Sequence, residues 1–330
     1  MQVSSRFEFA ALRKLREPEI GSPIVLLDRA HSNLLDGGDV ALAMETFSDG
    51  LWWIRRYASF DQWREVIALA RAHPLMGLLH EDPLIRRAFV KPRGYSGDAP
   101  LMDMIYDCGE TANTGETSLI GLAMLERDAM LPCFTAMRER RDFLARVIDT
   151  LATVTSRPCI LSAGSGHLRE AAKSTAVRQR RLGRLVALDQ DADSLTTVER
   201  DLAGAGVETM HRSVKAIMDG AFERCSFDMI YATGLYETLS SRFARQLTRG
   251  FFRLLRPGGR LIVDNFVRDV YDCAYLEVAA DWFIAYRSAA ELLALADLID
   301  ASEVATKRIY TRLTPDVFYL EVRKSETARQ

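Results

Sequence analysis

The chain has almost no excess charge and few of the residues that hold metals. Its 43 lysines and arginines nearly balance 45 aspartates and glutamates, for a formal net charge of −2. Without a net positive field, nucleic acid is not an expected partner. One basic cluster exists, the RQRRLGR run at 178–184, and such cations suit the C-terminus of a helix. Five cysteines, Cys108, Cys133, Cys159, Cys225 and Cys273, are scattered without a CxxC pair. That excludes a disulfide framework and points to a reducing cytoplasm. Five histidines are equally scattered, so no metal site is expected. No apolar run approaches the roughly 18 residues of a membrane span, so stable membrane insertion is not expected. The first residues, MQVSSRFEFAALRKLREPE, lack the apolar stretch of a signal peptide. There is no internal repeat and no low-complexity tract. What is left is a 330-residue chain, 48% hydrophobic, long enough for a large core and more than one domain.

Within that background, residues 160–170 read ILSAGSGHLRE. An apolar run ends in Gly164-Ser165-Gly166, and a helical pattern follows. This is a strand, a tight turn and a helix start, the geometry that seats nucleotide-like ligands in α/β domains. The first glycine permits the turn, and the second lets a ligand approach backbone with no Cβ in the way. The segment Arg184 to Asp189 is a second short apolar strand ending in an acid. An acid about 20 residues past the glycines is where a ribose diol is gripped. A dinucleotide fingerprint would need a third glycine where Arg169 stands. That argues against nicotinamide and flavin, and for a ligand with ribose and adenine but no pyrophosphate.

The pattern continues in order. Val207 to Arg212 predicts a third strand, with Ser213-Val214 at its end. Phe227 to Tyr231 predicts a fourth, leading into Ala232-Thr233-Gly234-Leu235-Tyr236-Glu237. An amphipathic helix over Ser241 to Leu255 turns at Arg256-Pro257-Gly258-Gly259 into a strand over Leu261 to Asp264. A helical stretch near Ala289 to Ile299 and strands at Val304 to Tyr310 and Val317 to Val322 complete the chain.

Over residues 140 to 325 this order resembles the class I S-adenosylmethionine-dependent methyltransferases. The resemblance rests on the glycine loop, Asp189, the FDMIYATG turn and LLRPGGRLIVDN. It implies a Rossmann-like seven-stranded mixed sheet with helices on both faces and a final antiparallel hairpin. It implies roles as well. Gly164, Ser165 and Gly166, with the flanking Ala163, would lie under the methionine part of the cofactor. Asp189 would bind the ribose, with Gln190 beside it. Ser213 and Val214 would flank adenine, and Thr233 and Gly234 would floor the site near the sulfonium. Many members carry an acid two residues before the first glycine, where this chain has Ser162, so another region has to hold the cofactor's ammonium.

Residues 1–140 are expected to form a helical cap or lid, and 141–330 the cofactor-binding domain. Helices are predicted at Pro23 to Leu35, Val40 to Tyr57 and Phe60 to Ala72, the last capped by Asp61. One or two longer helices are predicted over Ser118 to Val154, bent at Pro132. The polar GETANTGET stretch at 109–117 reads as the hinge or loop between the parts. Such a region forms a lid or a dimer surface, which leaves a homodimer open.

Between the helices, residues 90–108 read VKPRGYSGDAPLMDMIYDC. The plain reading is a helix connection in which Tyr95 fills a gap and Asp98 caps the helix from Pro100 to Tyr106. The sharper reading is a lid with Tyr95 facing the sulfonium or acceptor, a contact its ring quadrupole favours, and with Asp98 or Arg93 gripping a charged end. Lys91, Pro92, Gly94, Tyr95, Gly97 and Asp98, followed by Met102, Met104, Ile105 and Tyr106, resemble the bacterial extracellular-factor (3-hydroxypalmitic acid methyl ester) biosynthesis methyltransferases. Further candidates end strands at the ligand edge of the sheet. Tyr236 is a catalytic candidate with Tyr95 and Asp98. Glu237, Asn265, Arg287 and Arg93 are candidate acceptor contacts. His167 and Glu170 read as ordinary first-turn helix residues.

Methyl transfer needs nucleophile, methyl and sulfur in line and water excluded. A carboxylate acceptor is ionised at neutral pH and needs no base, whereas an amine or hydroxyl usually does. No base stands out in the sequence. The expected reaction is methyl esterification of a hydroxy fatty acid or similar carboxylate. N- or O-methylation of another metabolite is the alternative enzyme, and a cofactor-binding sensor the alternative of another class.

Overall fold

In the computed structural model, residues 22–327 are described, apart from 113, 114 and 116. The absent signal peptide expected for the first residues therefore falls outside the described residues. So do three residues, 113, 114 and 116, of the expected 109–117 hinge.

The N-terminal part is helical: α1 (Pro23–Leu35), α2 (Val40–Tyr57), α3 (Phe60–Ala72), α4 (Leu75–Leu79), α5 (Pro83–Val90), α6 (Ala99–Tyr106), α7 (Leu119–Asp128) and α8 (Pro132–Val154). The cap of α3 is Ser59 rather than Asp61. Its hydroxyl accepts from Gln62 N–H while the Gln62 side chain accepts from Ser59 N–H, a reciprocal capping box. Pro132 does not bend a helix; it opens α8 at a first-turn position where proline loses no hydrogen bond. Position 140 lies inside α8.

Seven strands follow: β1 (Cys159–Ala163), β2 (Arg184–Asp189), β3 (Val207–His211), β4 (Phe227–Ala232), β5 (Leu255–Phe266), β6 (Val304–Tyr310) and β7 (Val317–Lys324). The helices among them are α9 (Arg169–Lys173), α10 (Thr175–Arg178), α11 (Ala192–Asp201), α12 (Ser241–Leu254), α13 (Cys273–Ala279) and α14 (Ala289–Leu293). The sheet order is β3-β2-β1-β4-β5-β7-β6. The first five positions are parallel, and β7 pairs antiparallel with both β5 and β6. This is the Rossmann-like methyltransferase sheet with its terminal hairpin. Strand β5 begins earlier than predicted, at Leu255, and slips register against β4 between Phe227 and Met229, which absorbs the Pro-Gly-Gly turn.

Strand residues alternate between two apolar layers. Leu161, Ala163, Ile230 and Ala232 face α12 and α14, while Ile160, Met229 and Tyr231 face α8 and the N-terminal helices. Central strands covered on both faces read as unbroken apolar runs, which is why they were visible in the sequence. The second layer runs without a break from Leu27 in α1 to Tyr319 in β7. Buried Glu277 of α13 adds a polar tie, accepting from Arg55 at 2.9 and 2.8 Å and from Trp63 Nε1 at 2.7 Å. Strand order reverses between β1 and β4, so the loops after these strands flank the crevice where ligands of open α/β sheets sit.

Candidate active site

The glycine loop is folded onto the end of β2. Gly164 and Gly166 have φ of +68° and +50°, left-handed values that an L side chain resists. Gly164 donates its N–H to Leu188 O at 2.8 Å. Asp189 accepts from Gly166 N–H at 2.8 Å and from Asp191 N–H at 2.9 Å, so the ribose candidate and the loop are one unit. Ala163 is buried at the end of β1. Gln190 is exposed, and its carbonyl lies 3.0 Å from His211 Nε2. Ser213 caps the 3-10 turn Val214–Ile217, and Val214 packs on the sheet. Thr233 Oγ1 and Gly234 N–H both donate to Asp264, at 2.6 and 3.0 Å.

Two buried polar atoms of this loop have no partner: Ser165 Oγ and His167 Nε2. An orphaned buried polar atom is costly unless a ligand completes it. A hydroxyl and a ring nitrogen beside two glycines suit the polar amino-acid end of S-adenosylmethionine. The loop therefore fits that group, and Ser165 and His167 would hold it.

The 91–98 segment lies across this edge. Tyr95 is partly exposed; burial, then the negative charge of Asp189 and Asp191, pushes its phenol up to about 12. Tyr95 is thus a neutral hydroxyl facing the acidic end of β2. Arg93 does not point to an acceptor: its guanidinium holds Asp191 at 2.6 Å and Ser194 at 2.9 Å at the start of α11. Asp98 is buried and fully engaged. It accepts from Arg87 at 3.0 and 2.7 Å and from Leu101 N–H at 3.0 Å, capping α6. The geometry corrects its assignment from a catalytic to a positioning group, because both oxygens are taken. A Cβ on Gly97 would stand 3.0 Å from the Trp282 ring. Ser96 donates to Asp281 O at 3.3 Å, and Lys91 and Arg71 both pair with the Asp281 carboxylate.

Helix α6 also clasps the glycine loop. Asp103 lies 2.7 Å from His167 Nδ1 and accepts two bonds from Arg169, at 2.7 and 2.6 Å. Against the cost of burial, these bonds hold the Asp103 carboxyl below its ordinary range.

A second feature sits past β4. Glu237 lines a narrow apolar cavity with Met137 of α8, Phe266 of β5, Leu276 of α13 and the loop residues Trp282 and Ile284. The cavity leaves about 20 Å³ for water-sized spheres, roughly one water. Beneath it, buried Arg140 reaches Glu237 at 3.2 Å and Asp264 at 3.5 Å. Its guanidinium lies 3.3 Å from where a Cβ on Gly234 would be. Burial raises the Glu237 carboxyl to about 7 against the pull of Arg140, and Asp264 adds to the rise. Two larger grooves, lined by Arg249 and Arg253 among others, lie at the opposite ends of β4 and β5, away from the crevice.

Three candidates are corrected here. Tyr236 is wholly buried in the layer below the sheet, its hydroxyl 2.9 Å from Thr248 Oγ1, so it cannot touch an acceptor. Asn265 Nδ2 donates to Phe266 O and Ala285 O, at 2.9 and 2.7 Å. Arg287 donates to Tyr236 O, Leu239 O and Asn265 Oδ1. This pair pins the loop behind the cavity instead of meeting a carboxylate. Arg140 was missed, although it left a signal: it falls on the buried stripe of α8 with Cys133, Met137, Leu144 and Ile148, where a charge is out of place.

Residues 161–263 match the family model described as a methyltransferase domain. That stretch is a methyltransferase domain, set in a sheet of the Rossmann-like methyltransferase type. No curated protein matches the sequence. Among solved structures, a protein of Bordetella parapertussis described as a possible exported protein is 16% identical, with TM-score 0.56 over 92% of this chain and 95% of that one. That likeness takes in the N-terminal helices as well as the methyltransferase sheet. The 1,6-didemethyltoxoflavin-N1-methyltransferase of Burkholderia thailandensis is 16% identical, with TM-score 0.38 over 56% of this chain and 78% of that one. The magnesium protoporphyrin IX methyltransferase of Synechocystis is 12% identical, with TM-score 0.40 over 58% and 83%. No helix among the described residues is long and apolar enough to cross a membrane.

Proposed function

We propose that this methyltransferase modifies a small, largely apolar acceptor seated in the cavity of Glu237, Met137 and Trp282. The observation that carries this is the position of the cavity: it adjoins Arg140, which lies directly under Gly234 at the switch-point crevice. S-adenosylmethionine supplies an electrophilic methyl. In this reading Gly164, Ser165, Gly166 and His167 bind its amino-acid end, and Asp189 its ribose. Ser213 and Val214 flank its adenine, Thr233 and Gly234 floor the site, and Tyr95 covers it. Packing of Gly97 on Trp282 keeps water out, which in-line transfer needs. As it stands the cavity holds about one water, so an acceptor must widen it, with Trp282 and the 91–98 segment packed on it moving aside.

The apolar lining also favours a second reading, methyl esterification of a fatty acid, the reaction implied by the KPRGYSGD resemblance to the extracellular-factor enzymes. A cytoplasmic site of action belongs to the proposal, since all five cysteines are free, and a homodimer through the helical part remains compatible with it. The test is transfer from tritiated-methyl S-adenosylmethionine to lipid and metabolite extracts. Stable label in a small product supports the first reading, and base-labile label supports the ester. Cofactor binding without consumption, the behaviour of a sensor, overturns both.

A further inference from the structure

Glu237, expected from the sequence as an acceptor contact, was given no part in the reaction itself. It is a carboxyl inside an apolar cavity, close to the floor where the methyl would be presented, and its single side-chain partner is held loosely. Arg140 is shared with Asp264, and Asp264 is the better served of the two acids. It also takes the Thr233 hydroxyl and the Gly234 N–H. Two buried carboxyls therefore face one guanidinium, and the second proton-binding site falls to Glu237.

We propose that Glu237 is the general base of the transfer, and that the acceptor presents a proton-bearing heteroatom, a phenol-type hydroxyl or an amine, rather than a carboxylate. The inference rests on the cavity being the acceptor site. An ionised carboxylate brought against Glu237 and Asp264 would add a third negative charge where only Arg140, in contact, and Arg287, farther off and bound to backbone carbonyls, are positive, in a low-dielectric site where like charges repel strongly. A hydroxyl or amine donates to Glu237 instead. In the step, the heteroatom lone pair forms the bond to the methyl carbon, and the carbon–sulfur bond breaks with its electron pair left on sulfur. The heteroatom proton passes to Glu237 Oε, giving the methylated product, S-adenosylhomocysteine and a protonated Glu237 that returns its proton to solvent when the cavity opens.

A base is most useful when its pKa lies near the working pH, and the rise of Glu237 to about 7 meets that condition. The charged or titratable groups facing it are Arg140 from α8, Asp264 from β5 and Arg287 from the following loop, with Cys133, Cys273 and Tyr286 in the cavity wall. Burial pushes the last three upward, so they stay neutral at pH 8.

The test uses the full chain loaded with S-adenosylhomocysteine and three matched probes: 4-propylphenol, 4-propylaniline and 4-propylbenzoate. Calorimetry at pH 8 should show the phenol or aniline bound about tenfold tighter than the benzoate. Glu237→Gln should erase that preference by strengthening benzoate about tenfold, whereas a merely structural defect would weaken all three alike. If Glu237→Gln does not fold, a pH series on the unaltered protein gives the same answer. The handicap of benzoate against phenol should shrink as pH falls through about 7, with benzoate still ionised. Benzoate bound as tightly as phenol at pH 8, or a ratio indifferent to both substitution and pH, overturns the base assignment and leaves the cavity reading standing. Failure of all three probes to bind overturns the cavity reading itself, and the inference with it.

Discussion

Asp103 of α6 lies 2.7 Å from Nδ1 of His167, the residue that follows the glycine loop. Through this contact the segment over the crevice and the loop under it share one carboxylate, which also takes Arg169. Asp103→Ala should therefore weaken S-adenosylhomocysteine binding by about tenfold, roughly 1.4 kcal/mol, although Asp103 is not a loop residue. Isothermal calorimetry checks this. An unchanged affinity would mean that His167 is held without Asp103 or does not meet the ligand.

Asp189→Ala should cost at least as much. The change removes the acceptor for Gly166 and Asp191 N–H groups as well as the ribose contact, so affinity should fall tenfold or more while the melting temperature moves by only a few degrees. Calorimetry and a thermal melt together separate ligand contact from fold.

Tyr236→Phe tests a correction. The lost hydroxyl leaves Thr248, which also donates to Ala244 O, so the cost is about 1 kcal/mol in stability. Methyl transfer measured with tritiated cofactor should stay within about twofold of the parent. A hundredfold loss would return Tyr236 to the chemistry. Tyr95→Ala should behave oppositely, with turnover damaged and the melting curve kept.

Asp98→Ala should be a stability mutant. It removes the cap of α6, worth about 1 kcal/mol, and strands a partly buried Arg87, so a loss of about 2 kcal/mol in denaturant titration is expected. Activity per folded molecule should survive at low temperature.

Glu237 predicts a pH signature in stability. Its folded carboxyl titrates higher, at about 7, than an unfolded one. Between roughly pH 4.5 and 7 the unfolded chain has released that proton and the folded chain has not, so stability falls as pH rises through this window. Glu237→Gln lacks the titration. It should gain about 2 kcal/mol on the parent between pH 5 and pH 8. Parallel melting curves at the two pH values would show that the carboxyl is ionised in both.

Much of the sheet was legible because its central strands are covered on both faces and end at residues with chemical marks: the Gly164–Gly166 turn, Asp189, and Thr233-Gly234. The helices α1, α2 and α3 were legible from apolar spacing. Short α4, α9 and α10, of five, five and four residues, carry too few turns for a period to register. The site was half legible. Tyr236 and Glu237 are neighbours at one strand end, yet the 3-10 turn Tyr236–Thr238 sends one side chain below the sheet and the other into the cavity. Sequence adjacency put both at the acceptor, Tyr236 as a catalytic candidate and Glu237 as a contact, and only the turn decides between them. Arg287 and Asn265 were placed at the correct edge, but their partners are each other and backbone carbonyls, and no side-chain pattern records the carbonyls. Glu237 was not seen as a base because its environment is assembled from α8, β5, α13 and the loop carrying Trp282, segments far apart in the chain.

The apolar layer that runs unbroken from Leu27 to Tyr319 bears on how enzymes of this build diversify. A cassette that shares no interior with its neighbour can be exchanged wholesale; here the helical half and the sheet solidify as one body. New acceptor preferences would have to arise residue by residue, in the few side chains around Glu237, rather than by trading one amino-terminal module for another.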